Sequence, residues 1–202
     1  MNKKELAKGV LAVVVGIRCF PHLLLLFQGK SGAMVRSDVV RWRGTLGRTG
    51  TWYGLAFEFL YLMLYCPQFR NLFYNRTGFK GRVCSFLCPP MDSLYIRTKD
   101  IGPGLFIQHG FATIVSARKI GANCWINQQV TVGYSDDSDR PTLGDNVRIM
   151  AGAKVIGNIT IGNNSTVGAN AVVVKDVPPN CTVVGVPAYI VRRDGVRTHE
   201  KL

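Results

Sequence analysis

Acidic side chains are scarce in this sequence. Twelve Asp and Glu stand against twenty-five Lys and Arg, a formal net charge of +13. The shortage is local: residues 1–90 hold 13 basic and 3 acidic side chains, while residues 91–202 hold 12 and 9. Such a surplus points to a polyanion or an anionic lipid surface as a neighbour, or to an ordinary basic exterior. The chain has no zinc-finger spacing, no glycine-flanked aromatic RNA-binding motif and no basic zipper region, so no nucleic-acid partner is expected. It also has no metal-ligand quartet. Cys19, Cys66, Cys84, Cys88, Cys124 and Cys181 sit apart, with Cys84 and Cys88 the one close pair, and no metal is expected. Cys124 and Cys181 read as small core residues of a reducing compartment.

Long apolar runs are missing as well. Lys3, Lys4 and Lys8 precede the apolar stretch Val10 to Ile17 and imitate the start of a secretory signal, but Arg18, Pro21 and His22 follow without a small-residue cleavage site, so export is not expected. A membrane-spanning helix would place Arg18 near its centre, at a cost of roughly 2.5–3.5 kcal/mol on insertion scales. The second run, Trp52 to Cys66, is short and contains Glu58. The expected location is the cytoplasm, with the inner face of the membrane as a variant of that reading.

What is present divides into two grammars. Over residues 1–90 apolar blocks such as Leu11–Ile17, Leu23–Phe27 and Leu55–Tyr65 alternate with Gly, Pro and Arg, which reads as helices joined by short basic loops. Asn75–Gly81 and Cys88–Pro90 mark the boundary. From Ile101 onward every sixth residue is aliphatic, unbroken through Leu143, Ile149, Val155, Ile161, Val167 and Val173. The same frame holds earlier at Ile101, Ile107, Ile120, Ile126 and Val132, with one extra residue near Thr113 and five between Val132 and Leu143. Six residues make a short strand and a turn, so the aliphatic points into a narrow core and three sides close one coil. Residues 91–191 are therefore predicted to form a parallel β-solenoid of roughly five coils, with 192–202 as a basic tail.

Residues two positions past the aliphatic on one side should stack coil upon coil, which places His109, Gln128, Ala151 and Ala169 on one outer edge. His109 is one of three histidines in the chain and falls outside the inward columns. Imidazole titrates near neutrality, so it can take a hydroxyl proton as a general base. Above it, Ala151, Gly152 and Ala169 leave backbone groups open to an extended ligand, and three coils span on the order of 14 Å, about the reach of a pantetheine arm. Backbone N–H groups near Gly133 or Gly152 are candidates for an oxyanion site. Arg140, in the Gly133–Thr142 insertion, and Gln128 are candidate acceptor ligands.

The ordered set Ile101–Gly110, Val130–Gly133, Asp139-Arg140-Pro141, Ala151–Ile159, Val177-Pro178-Pro179 and Gly185–Ala188 resembles the serine acetyltransferase group of hexapeptide-repeat acyltransferases. The resemblance implies a left-handed parallel β-helix and acetyl-CoA as co-substrate. It implies His109 as the base, with acetyl-CoA contacts around Gly133, Ala151, Gly152 and Ala169. It also implies a homotrimer with sites between neighbouring solenoids. Lys175, Arg192 and Arg193 are candidate partners for CoA phosphates, against ordinary surface charge.

The sequence departs from that group twice. The family's Asp-Ile-His-Pro segment is replaced by Leu94-Tyr95-Ile96-Arg97, leaving Asp92 and Asp100 as nearby carboxylates, and no His follows Arg140. Cys66 to Arg76 resembles acetyltransferases that decorate capsule, exopolysaccharide or O-antigen. The expectation is therefore an O-acetyltransferase acting on a sugar hydroxyl of a surface-polysaccharide precursor, with serine O-acetylation as the alternative and a non-catalytic solenoid scaffold as the reading from another class. The basic N-terminal half would then either lie on an anionic leaflet or extend the assembly beyond the trimer through its helices.

Overall fold

A computed structural model describes residues 3–47, 54–136 and 138–202. Trp52, named above, lies outside the described residues, as do Asp137 of the insertion and the side chains of Lys3, Lys4 and Lys8. The chain divides into two compact units, Met1–Pro90 and Met91–Leu202.

The first unit holds four helices: α1 (Lys3–Leu26), α2 (Gly29–Thr45), α3 (Leu55–Tyr65) and α4 (Pro67–Val83). Its core is aromatic. Trp42 meets Phe69 edge-on at 5.2 Å between ring centroids, and Phe59 meets Phe73 at 5.4 Å. Asn75–Gly81, read from sequence as boundary, is part of α4, which kinks at Gly78, where φ is 59°. Among the described residues no helix is long and apolar enough to cross a membrane.

The second unit is a parallel β-helix, as the six-residue period predicts. Its first face stacks β1 (Leu94–Ile96), β4 (Thr113–Val115), β7 (Thr131–Gly133), β10 (Lys154–Ile156) and β13 (Val172–Val173). The second face holds β2 (Asp100–Ile101), β5 (Lys119–Ile120), β8 (Thr142–Leu143) and β11 (Thr160–Ile161). The third holds β3 (Phe106–Ile107), β6 (Trp125–Ile126), β9 (Arg148–Ile149), β12 (Thr166–Val167) and β14 (Cys181–Gly185). Each strand pairs in parallel with the one a coil away, as in Ile107↔Ile126, Ile126↔Ile149 and Ile149↔Val167. All six aliphatics from Leu143 to Val173 are buried.

Two features hold the corners. Where the second face turns into the third, backbones approach so closely that a Cβ on Gly121 would stand 2.5 Å from the Gly144 carbonyl carbon. Beside them runs an asparagine ladder. Asn146 Nδ2 donates to Asn164 Oδ1 at 2.9 Å, Asn164 Nδ2 to Asn180 Oδ1 at 3.0 Å, and Asn180 Nδ2 to Asp194 Oδ1 at 3.0 Å. These asparagines have φ of 56°, 60° and 57°, a left-handed turn that Asn tolerates better than most residues.

Residues 192–202, read from sequence as a tail, are ordered strand. β15 (Ala188–Arg193) folds back antiparallel on β14, and β16 (Val196–Lys201) pairs with β15. The alternation of Val196, Thr198 and Glu200 with Arg197, His199 and Lys201 carries too little apolar content to signal a strand.

Candidate active site

His109 lies at the corner between the third and first faces, and the register there corrects the simple count. Val115 follows Ile107 by eight residues, whereas Val132 follows Ile126 by six, although Ile107 pairs with Ile126 and Val115 with Val132. Gln108 N donates to Ile126 O at 2.9 Å and Gln129 N to Phe111 O at 2.9 Å, so Gln108 sits over Asn127 and Phe111 over Gln128. His109 and Gly110 are thus a two-residue bulge, not members of the stacked column. The next corner is one residue short, Val115 to Ile120, which is why the period shows only one extra residue.

The bulge is a tight reversal. Gly110 N donates to Gln108 O at 2.8 Å, closing a three-residue turn with His109 at its centre at φ 63°. A γ-turn of this sign is rare and strained, and strain of this kind gathers at functional positions. It throws the imidazole outward: His109 is exposed, and among the described residues its ring makes no hydrogen bond.

The edge above it is as bare as the sequence requires. Gln128, Ala151 and Ala169 follow one another through Gly152 N to Gln128 O, 3.0 Å, and Asn170 N to Ala151 O, 2.9 Å. Gly152 has φ 74°, and a side chain there would run into Asn170, so the ridge stays flat. The Gly152 N–H is engaged in that coil-to-coil bond and is not available as an oxyanion donor. The Gln128 Oε1 is buried without a hydrogen-bond partner among the described residues. It is an acceptor in want of a donor beside His109's edge.

Not every candidate meets there. Gly133 ends β7 at the far side of the first face, about 10 Å across a three-residue strand. The insertion leaves from that opposite corner, so Arg140 and His109 of one chain occupy different edges. Arg140 stacks over the Tyr134 ring at 4.5 Å and lines a cleft of about 400 Å³ with Arg97, Lys99 and Arg118. Lys175 donates to the Leu202 carbonyl at 2.9 Å, Arg192 is exposed, and Arg193 is paired with Glu200 at 2.6 Å. That ion pair is half-exposed at the surface.

Sequence reasoning left Asp92 and Asp100 undecided. Asp100 is in β2 on the second face. Thr113 N donates to Ser93 O at 3.0 Å and Leu94 pairs with Thr113, so Asp92 lies one coil below Phe111 on His109's own edge. Only the inter-coil register separates the two. Across the first face, between the two corners, runs a cleft of about 330 Å³ lined by Tyr95, Arg97, Ile114, Thr131, Tyr134 and the Ser116 hydroxyl, which is buried and has no hydrogen-bond partner among the described residues. Of the other histidines, His22 is sealed in the helical unit against the Tyr74 hydroxyl at 2.9 Å, and His199 lies against the Tyr189 ring. Among the described residues no group of three or more His, Cys, Asp or Glu side chains is placed to hold a metal ion.

A triangular coil whose bare edge ends in one exposed imidazole defines a hexapeptide-repeat transferase. The bacterial transferase hexapeptide (six repeats) family model matches residues 140–175. The serine acetyltransferase of Synechococcus elongatus is 46% identical over 101 residues, 48% of this chain and 41% of that protein, so the chain spans less than half the length of this curated relative. Among solved structures, the Neisseria gonorrhoeae serine acetyltransferase in complex with serine is similar with a TM-score of 0.60 and 32% identity over 80% of this chain and 69% of that one. A serine acetyltransferase in complex with CoA is similar with a TM-score of 0.60 and 25% identity over 79% and 69%. The chain belongs to the hexapeptide-repeat acyltransferases of the serine acetyltransferase type.

These likenesses overturn the surface-polysaccharide acceptor expected from the sequence, since the relatives carry the name serine acetyltransferase. The basic segment that suggested a sugar has structural work instead. Arg70 donates to the carbonyls of Met63, Leu64 and Pro89 at 2.5, 2.6 and 2.8 Å, and Arg76 forms a buried ion pair with Asp38 at 3.0 Å.

Proposed function

We propose that this protein transfers the acetyl group of acetyl-CoA to the hydroxyl of L-serine. One observation carries the reading: an exposed imidazole, held outward by a strained turn, at the foot of an edge kept flat by Ala151, Gly152 and Ala169. The pantetheine arm lies along that edge with its thioester at His109, and Lys175, Arg192 and Arg193 are the cations toward the CoA phosphates. His109 takes the serine hydroxyl proton as the oxygen attacks the thioester carbonyl. The C–S bond breaks, the CoA sulfur receives the proton, and O-acetylserine leaves.

The two departures from the family pattern have local substitutes. Asp92, on the same edge, serves as the carboxylate that orients His109. Arg97, Lys99 and Arg118 around Arg140 supply positive charge for the serine carboxylate where the family has a histidine. Because Arg140 and His109 occupy opposite edges of one face, the working unit is a homotrimer in which one chain's Arg140 edge meets its neighbour's His109 edge. Acetyl-CoA with L-serine, followed by thiol release, tests the reading: turnover that rises and saturates with serine is expected, and release that is indifferent to serine would overturn it.

A further inference from the structure

The sequence separates Cys19 from Cys88 by 69 positions, yet the helical unit brings their sulfurs to 3.6 Å. Both side chains are buried, at 0% and 1% exposure. Three donors from α1 and α4 fix the turn that carries Cys88. The Tyr74 hydroxyl donates to the Cys88 carbonyl at 2.7 Å, Arg70 to the Pro89 carbonyl at 2.8 Å, and Arg18 to the Leu87 carbonyl. The arrangement holds a thiol pair at contact distance beside two guanidinium groups, with no acidic side chain among these partners.

We infer that Cys19 and Cys88 are a modification site, a thiol pair that a hydroperoxide oxidises to a disulfide joining α1 to the turn after α4. A disulfide needs its sulfurs at about 2.05 Å, a closure of roughly 1.5 Å from their present contact. The contact with the Cys19 sulfur, together with positive charge from Arg18 and Arg70, pushes Cys88 down to about 6 while Cys19 is held up. Cys88 is therefore the attacking sulfur. Its thiolate attacks the peroxide oxygen, breaking the O–O bond to give a sulfenic acid and releasing the first water or alcohol. The Cys19 sulfur then displaces the sulfenic oxygen, which leaves as water with the Cys19 proton. Two thiols lose two electrons and the peroxide gains them. Cys88 lies in irregular chain beyond the end of α4, where local opening admits the oxidant without unfolding a helix. Cys84, four residues earlier and nearer in sequence, is the built-in control.

The full-length reduced protein is treated with hydrogen peroxide, its remaining thiols are alkylated, and the unreduced peptides are mapped by mass spectrometry. The expected result is loss of two of the six free thiols, one linkage between the Cys19 and Cys88 peptides, and full reversal by dithiothreitol. Cys19→Ser should leave Cys88 as a sulfenic acid that a dione label captures. A Cys84–Cys88 linkage, scrambled pairing, or no thiol loss short of denaturation would overturn the inference. The mapping is made on the natural sequence, so a variant that fails to fold does not spoil it.

Discussion

Substituting His109 separates chemistry from shape. The imidazole is exposed and, among the described residues, unpartnered, so its removal takes nothing from the core, but its backbone sits at φ 63°. Asn accepts that conformation about as readily as His. His109→Asn should therefore melt within about 1–2 °C of the natural protein, while kcat for acetyl transfer falls on the order of 10²–10⁴-fold, or about 2.7–5.4 kcal/mol of barrier, as loss of a general base requires. A β-branched residue meets the left-handed penalty, so His109→Val should lose the same activity and about 1–2 kcal/mol of stability besides. Thiol release under saturating acetyl-CoA and serine reads the first quantity, and urea unfolding reads the second. A His109→Asn protein within tenfold of normal kcat would refute the base assignment. Equal stability in the Asn and Val variants would refute the strained turn.

Other consequences follow from single contacts. Asn164→Ala removes both rungs that Asn164 makes in the ladder and places Ala at φ 60°, so it should cost about 2 kcal/mol in urea unfolding, and Asn164→Gly about half that. If Asp92 orients the imidazole, Asp92→Asn lowers kcat by roughly 10-fold or more with little change in the serine KM, whereas Asp100→Asn leaves both near normal. Burial, with Arg18 and Arg70 nearby, pushes His22 down to about 4. The unfolded chain, with His near 6.5, then binds the extra proton first, so stability is complete above about pH 6.5 and declines as pH falls toward 4. In His22→Gln, thermal melting between pH 6.5 and 5 should lose that part of the decline.

The β-helix was legible because its physics is periodic: one aliphatic in six must point inward, and Leu143 through Val173 do so in register. The corners were less legible. A bulge of two followed by a corner short by one reads in sequence as a single extra residue, so the column appeared to run through His109 when Phe111 occupies that level. The edge itself survived the error, because His109 and Phe111 belong to one corner. The separation of Arg140 from His109 depends on which corner releases the insertion, and only strand pairing shows that. The helical unit was legible in outline. The Cys19–Cys88 contact and the buried Asp38–Arg76 pair depend on helix packing across long separations that no local pattern encodes. The sugar acceptor was misread because two missing family residues and the likeness of Cys66 to Arg76 outweighed the likeness of the β-helix, which the comparisons favour.

The donor edge is tested most directly by hydrogen exchange of the intact protein with and without CoA. Slower exchange in peptides covering Gln128, Ala151–Ala153 and Ala169–Ala171, with the asparagine-ladder corner around Gly144–Val147 unchanged, is the expected result. Protection confined to the ladder corner, or absent from the His109 edge at saturating CoA, would contradict it.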